Sequence, residues 1–243
     1  MHLYWQLPPD VGPLREVSAV LEVLVAPRTP NTVFWALQAS FTDASGSSDG
    51  AAHLGLQWYP PHPRSRAVNW GGYPPQHQNW SSVLEGSPSS LPSTTDDPNT
   101  RDFAWEPLTP YLLRIAPSPD RGWRGTVTDM RTRTTTTVRD LWAPGDRVTG
   151  IVVWTEWFCP CKSPSSAVRW SGFEAITHDG VAVIPDSVSV SHPPDSPCNN
   201  VTHVVEQDGP FARIQQILNA KQLLPHGTVI PIGAGTGPTN TYM

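Results

Sequence analysis

Twenty-eight prolines and eighteen glycines punctuate this chain of 243 residues too often for long helices, so the fold has to be assembled from short extended segments and turns. The apolar residues agree, recurring at every second position, the period of a strand with one buried face. In TVFWALQASF (32–41), Val33, Trp35, Leu37, Ala39 and Phe41 share one face, and Phe34, Ala36, Gln38 and Ser40 share the other. EVSAVLEVLV (16–25) gathers Val17, Ala19, Leu21, Val23 and Val25, with a helix as the competing reading. GIVVWTEWF (150–158) is the most strand-like segment, and two further strands flank His178-Asp179-Gly180, whose Asp-Gly is a strong hairpin signal. One large all-β domain is the expectation, because sandwiches of this length commonly form a single core. The character changes after Cys198: Phe211, Ile214, Ile217, Leu218 and Lys221 show helical spacing and predict a short helix from Phe211 to Leu223, followed by a loose tail.

Composition excludes several classes of function. A net charge of −5 with scattered arginines argues against a nucleic-acid partner, which needs clustered positive charge. No run of 18 apolar residues occurs, so no membrane span is expected, and the first ten residues lack the pattern of an export signal. Three cysteines predict a disulfide from Cys159 or Cys161 to Cys198, one thiol left over, and an oxidising compartment. Asp96, Asp97 and Asn99 offer oxygen atoms, but their spacing fits no defined Ca²⁺ loop, and they read as a solvated turn. No metal ligand and no cofactor is expected.

HLGLQWYPPHPRSRAVNWGGY (53–73) sets aromatic rings beside side-chain amides on two strands joined by a proline turn. Sugars present C–H faces that stack on rings and hydroxyls that seek planar donors and acceptors, so this pairing points to carbohydrate. Following the alternation, a ligand-binding face is expected from Gln38, Gln57, Asn69, Trp70, Tyr73, Arg114, Trp123, Asp129 and Glu156, with Arg169 nearby. Trp35, Trp58, Trp154 and Trp170 are assigned to the core. No catalytic residue is assigned. The alternatives are a glycoside hydrolase or polysaccharide lyase using Glu156 and Asp129, which needs two carboxylates at working distance, and a structural or protein-binding module.

The order of HLGLQWY (53–59), NWGGY (69–73), FAWEPLTPYLLRI (103–115), the strand carrying Trp123 and Asp129, GIVVWTEWF (150–158) and VRWSGFEAIT (168–177) resembles a bacterial, mostly secreted family known only as a domain of unknown function, of concanavalin A-like character. The resemblance implies a two-sheet antiparallel β-sandwich of jelly-roll type over residues 1–200, with 201–243 as an extension. It also implies secretion or display at the cell surface and an association with glycans. The expectation is therefore a non-catalytic polysaccharide-binding sandwich.

Overall fold

Alternation decides the architecture. On Val33–Thr42 the side chains of Val33, Trp35, Leu37, Ala39 and Phe41 are completely buried, as are Val17, Ala19, Leu21 and Val23 on Leu14–Val25. Apolar side chains at a period of two leave water by facing a second sheet. The protein, a computed structural model describing residues 1–74, 84–192, 201–208, 211–220 and 224–233, is accordingly all-β, a sandwich of two antiparallel sheets.

In chain order the strands are β1 (His2–Gln6), β2 (Leu14–Val25), β3 (Val33–Thr42), β4 (Ser48–Trp58), β5 (Arg66–Tyr73), β6 (Thr100–Asp102), β7 (Pro110–Pro117) and β8 (Trp123–Asp129). There follow β9 (Thr134–Leu141), β10 (Arg147–Trp157), β11 (Ser166–Thr177), β12 (Ala182–Val183), β13 (Ser187–Ser191), β14 (Val201–Asp208), β15 (Phe211–Leu218) and β16 (Val229–Pro231). One sheet runs β16-β13-β1-β10-β3-β4-β5-β6 and the other β14-β15-β11-β2-β7-β8-β9, with β12 paired on β11. They meet where Leu14 stands opposite Val148.

The rings between the sheets lock the two layers together. Trp70 of β5 packs on Gly125 of β8, where an added Cβ would lie 2.7 Å from the indole, so only glycine fits. Phe41 stacks on Trp123 at 4.5 Å, and Trp35 meets Trp105 edge-on at 5.8 Å. Trp35 and Trp170 are core residues as the alternation predicts, while Trp58 is partly buried against the core and its indole N–H donates to the carbonyl of Thr29 at 2.8 Å.

The helix expected from Phe211 does not form. Phe211–Leu218 is strand β15, paired with β11 on one side and β14 on the other. Spacings of three and four fit either period when Ala212, Ile214, Gln216 and Leu218 also alternate inward, and here two neighbouring strands supply the pairing. Buried Gln216 is then satisfied by accepting from the Thr155 hydroxyl at 2.7 Å and the Trp170 indole at 3.0 Å. The Asp179-Gly180 turn forms as the sequence indicates, with Gly180 at φ +81° between β11 and β12. Cys161 is disulfide-bonded and Cys159 keeps a free, buried thiol, while Cys198, the expected half-cystine, lies outside the described residues, as does Trp80. No helix among the described residues is long and apolar enough to cross a membrane.

Candidate functional site

The outer face of the first sheet is where sequence and structure converge. Strand pairing lays its side chains out in rows. Glu156 of β10 stands opposite Phe34 of β3, which stands opposite Gln57 of β4. The next row is Trp154, Ala36, Gly55 and Asn69, and the one after is Val152, Gln38, His53 and Gly71. Rows two residues apart share a face, so Gln38, His53, Gln57, Asn69 and Glu156 all point away from the core.

Small residues make this face concave. Ala51 and Gly72 line a cleft of about 480 Å³, with larger groups such as Phe34, Tyr73 and Trp154 around them. Phe34, Ala36, Val152 and Trp154 form an apolar cluster separate from the main core. Trp154 is therefore corrected from the core to the cleft, where its ring meets Phe34 at 4.9 Å and His53 at 5.7 Å, and its indole N–H donates to Gln38 Oε1 at 3.1 Å. The ring of Tyr73 lies 5.6 Å from that of His53.

The far wall comes from the irregular segment before β6. Asn99 lies across β5, its Cγ 2.8 Å from where a Cβ on Gly71 would be, so glycine at 71 makes room for it. Asp97 Oδ1 accepts from the Asn99 backbone N–H at 2.9 Å, and Oδ2 accepts from the Thr100 hydroxyl at 2.5 Å. The ring of buried His62 bonds to Asp102 and lies 3.3 Å from the Thr95 hydroxyl, pinning the segment to the turn after β4.

Glu156 and Gln57 face each other across this cleft with uncommitted groups among the described residues. Glu156 is partly buried, and no hydrogen bond or ion pair among the described residues satisfies its carboxyl; burial raises its pKa, against a weaker opposing pull from the Met1 amino group. Gln57 is only 8% exposed, and its Oε1 is buried without a donor among the described residues. Phe34, which separates the two in their row, turns its ring toward Trp154 and His53. Two interstrand steps of about 4.8 Å separate the Glu156 and Gln57 backbones, enough for a planar substrate group to sit between their side chains. Burial lowers the pKa of His53 to about 4 and raises that of Tyr73, so both are neutral near pH 6.

Of the predicted ligand-binding residues, Gln38, Gln57, Asn69, Tyr73 and Glu156 line this cleft. The others are elsewhere. Trp70 and Trp123 are 0% and 1% exposed between the sheets, because alternation sends them opposite to Asn69 and Arg124. Arg114 forms a two-pronged pair with Glu16 at 2.5 and 2.6 Å on the outer face of the second sheet, where Arg169 pairs with Glu22 at 2.5 Å. Asp129 closes the turn after β8, accepting from the backbone N–H groups of Arg131 and Thr132 at 2.8 and 3.1 Å. It belongs to the other sheet from Glu156, so the two carboxylates do not form a glycosidase pair. Asp97 and Asn99, read as a solvated turn, are the wall residues the sequence did not reveal.

No protein-family model and no curated protein matches the chain. Among solved structures it is similar to scytalido-glutamic peptidase with a transition-state analog inhibitor, at 12% identity, 88% of this chain, 95% of that one and a TM-score of 0.48. It is similar too to that peptidase with a peptide-based transition-state analog, at 10% identity, the same coverage and a TM-score of 0.45. A third is SCP-B, a member of the eqolisin family of peptidases, in complex with the tripeptide Ala-Ile-His, at 10% identity, 88% and 95% coverage and a TM-score of 0.48.

The expectation of a non-catalytic glycan-binding module is corrected. No tryptophan among the described residues is exposed, so the tryptophan-lined face on which that expectation rested does not form.

Proposed function

We propose that the outer-face cleft is the active site of a peptidase, with Glu156 and Gln57 as its working pair. The observation that carries this reading is the unpartnered, partly buried Glu156 carboxyl with a raised pKa, facing a cleft in which the Gln57 amide is also unspent. A glycosidic bond needs two working carboxylates, whereas the Asp97 carboxylate in this cleft is held by the Asn99 N–H and the Thr100 hydroxyl. An amide bond needs one base, a water and a donor for the oxyanion.

The chemistry balances with these groups. Glu156, ionised, takes a proton from a water molecule as its oxygen attacks the carbonyl carbon. Gln57 donates an N–H to the oxygen that gains the negative charge, and its unpaired Oε1 orients the water. The tetrahedral carbon then collapses, the C–N bond breaks, and the proton held on Glu156 passes to the leaving nitrogen. A carboxylic acid and an amine result. The raised pKa suits a group that must carry the proton halfway through the reaction. Gln38 is spent on Trp154 and positions that ring. The disulfide at Cys161 supports a secreted or surface location, in an oxidising compartment.

Replacing Gln57 tests the pair. Gln57→Ala is expected to lower kcat on a fluorogenic peptide by about 100-fold or more, with KM nearly unchanged, because the lost contact forms in the transition state. A change confined to KM would assign Gln57 to substrate binding alone.

A further inference from the structure

We propose that the Asp97–Asn99 wall of the cleft is a subsite for a positively charged substrate side chain, a lysine or arginine close to the scissile bond. The inference rests on the peptidase reading for its substrate class. It is carried by a separate set of atoms.

Those atoms are acceptors short of donors. Asn69 and Asn99 are 6% and 9% exposed and both line the cleft; among the described residues Asn99 keeps its Oδ1 buried with no hydrogen-bond partner, while the Asn69 side chain has the neutral His53 ring as its neighbour. The orientation of Asn69 is fixed by its neighbours: Thr100 donates its hydroxyl proton to Asp97 Oδ2 at 2.5 Å, so its oxygen accepts from Asn69 Nδ2 at 2.9 Å. The Asn69 oxygen is left facing away from that relay. Next to these two oxygens stands the Asp97 carboxylate, which already receives two hydrogen bonds.

Burying an acceptor without a donor is costly, so the Asn99 oxygen beside a carboxylate makes a wall suited to receive N–H groups. Among the described residues no lysine or arginine lines the cleft to supply them. Arg101 and Arg139 approach the wall from behind, donating to the backbone carbonyls of Asp97 and Pro98 at 2.7 Å each, and so hold the segment in place. An ammonium or guanidinium group supplies several donors and a charge opposite to Asp97, whereas a carboxylate or an aliphatic side chain leaves the Asn99 oxygen unsatisfied.

The test pairs binding with cleavage. Three peptides, identical except for one Arg, Leu or Glu, are titrated by fluorescence anisotropy at pH 6 into the Glu156→Gln protein, which spares them from hydrolysis. The Arg peptide is expected to bind about tenfold more tightly than the Leu peptide, with the Glu peptide weakest. Asn99→Asp, which keeps the size and adds charge, is expected to widen that ratio, and Asp97→Asn to narrow it. Equal binding of Arg and Leu peptides, or a ratio indifferent to Asn99→Asp, would overturn the subsite. With the wild-type protein, cleavage sites in a mixed peptide library are expected beside Lys and Arg. Cleavage without that preference rejects the subsite and leaves the peptidase. Arg-selective binding with no cleavage of any peptide rejects the peptidase and leaves the subsite.

Discussion

Glu156→Gln is expected to lower kcat for peptide hydrolysis by at least about 1,000-fold and to leave the protein folded. The amide is nearly the same size as the carboxyl but neither takes a proton from water nor delivers one to the leaving nitrogen. The same substitution carries its own folding control, because burial makes the charged form of Glu156 costly. With a folded pKa above the unfolded one, the folded state binds the extra proton. The group's favourable contribution is complete below the ordinary glutamate range and is lost as pH rises through the folded value. Glu156→Gln should therefore melt higher than wild type at neutral pH, and the gap should close in acid. A variant both inactive and less stable at neutral pH would mean that Glu156 serves packing instead. An active site commonly holds groups at the expense of stability, so higher stability with lost activity is the signature sought.

Trp70→Ala is expected to cost about 3–5 kcal/mol of stability, enough to unfold much of the population at 37 °C, as read from urea denaturation. Its indole is fully buried, spans the gap between the sheets and rests on Gly125. No side chain on Gly125 is available to fill the cavity. Tyr73→Phe, three residues on and facing the cleft, should change stability little by comparison, since it removes only a hydroxyl from a partly exposed ring. Neighbours on one strand thus serve opposite sides of the sheet. A mild effect of Trp70→Ala would place the indole outside the load of the core.

This contrast shows what the sequence made legible. Period-two alternation assigns a face within a strand, which is why Gln38, Gln57, Asn69, Tyr73 and Glu156 were identified together from residue order alone. The same rule puts Trp70 opposite Asn69 and makes Trp154 share a face with Glu156, so chain proximity alone does not place Trp70 with Asn69. Alternation does not say which sheet a strand joins. Arg114 points outward as its phase requires, yet its strand, β7, pairs with β2 and β8 in the second sheet, and Glu16 is its partner there. Asp129 is separated from Glu156 for the same reason. Asp97 and Asn99 carried no periodic signal, because their place over Gly71 is set by long-range anchors such as the His62–Asp102 contact.

The aromatic richness that pointed to sugars has a different physical cause. A sandwich built from short strands draws its cohesion from large side chains, and tryptophan buries more surface than any other residue. Ring pairs such as Phe41 with Trp123 and Trp35 with Trp105 fill the space between the sheets. Gln57 and Asn69, beside Trp58 and Trp70 in sequence, face the other way, so at those positions the alternation of ring and amide reflects two faces of a sheet.

Incubating the purified chain with an unfolded protein near pH 6, and identifying the products by mass spectrometry, tests the central claim most directly. New internal termini are expected with the wild type and are expected to be absent with Glu156→Gln. An intact substrate with the wild type, or equal cleavage by both proteins, would contradict a peptidase centred on Glu156.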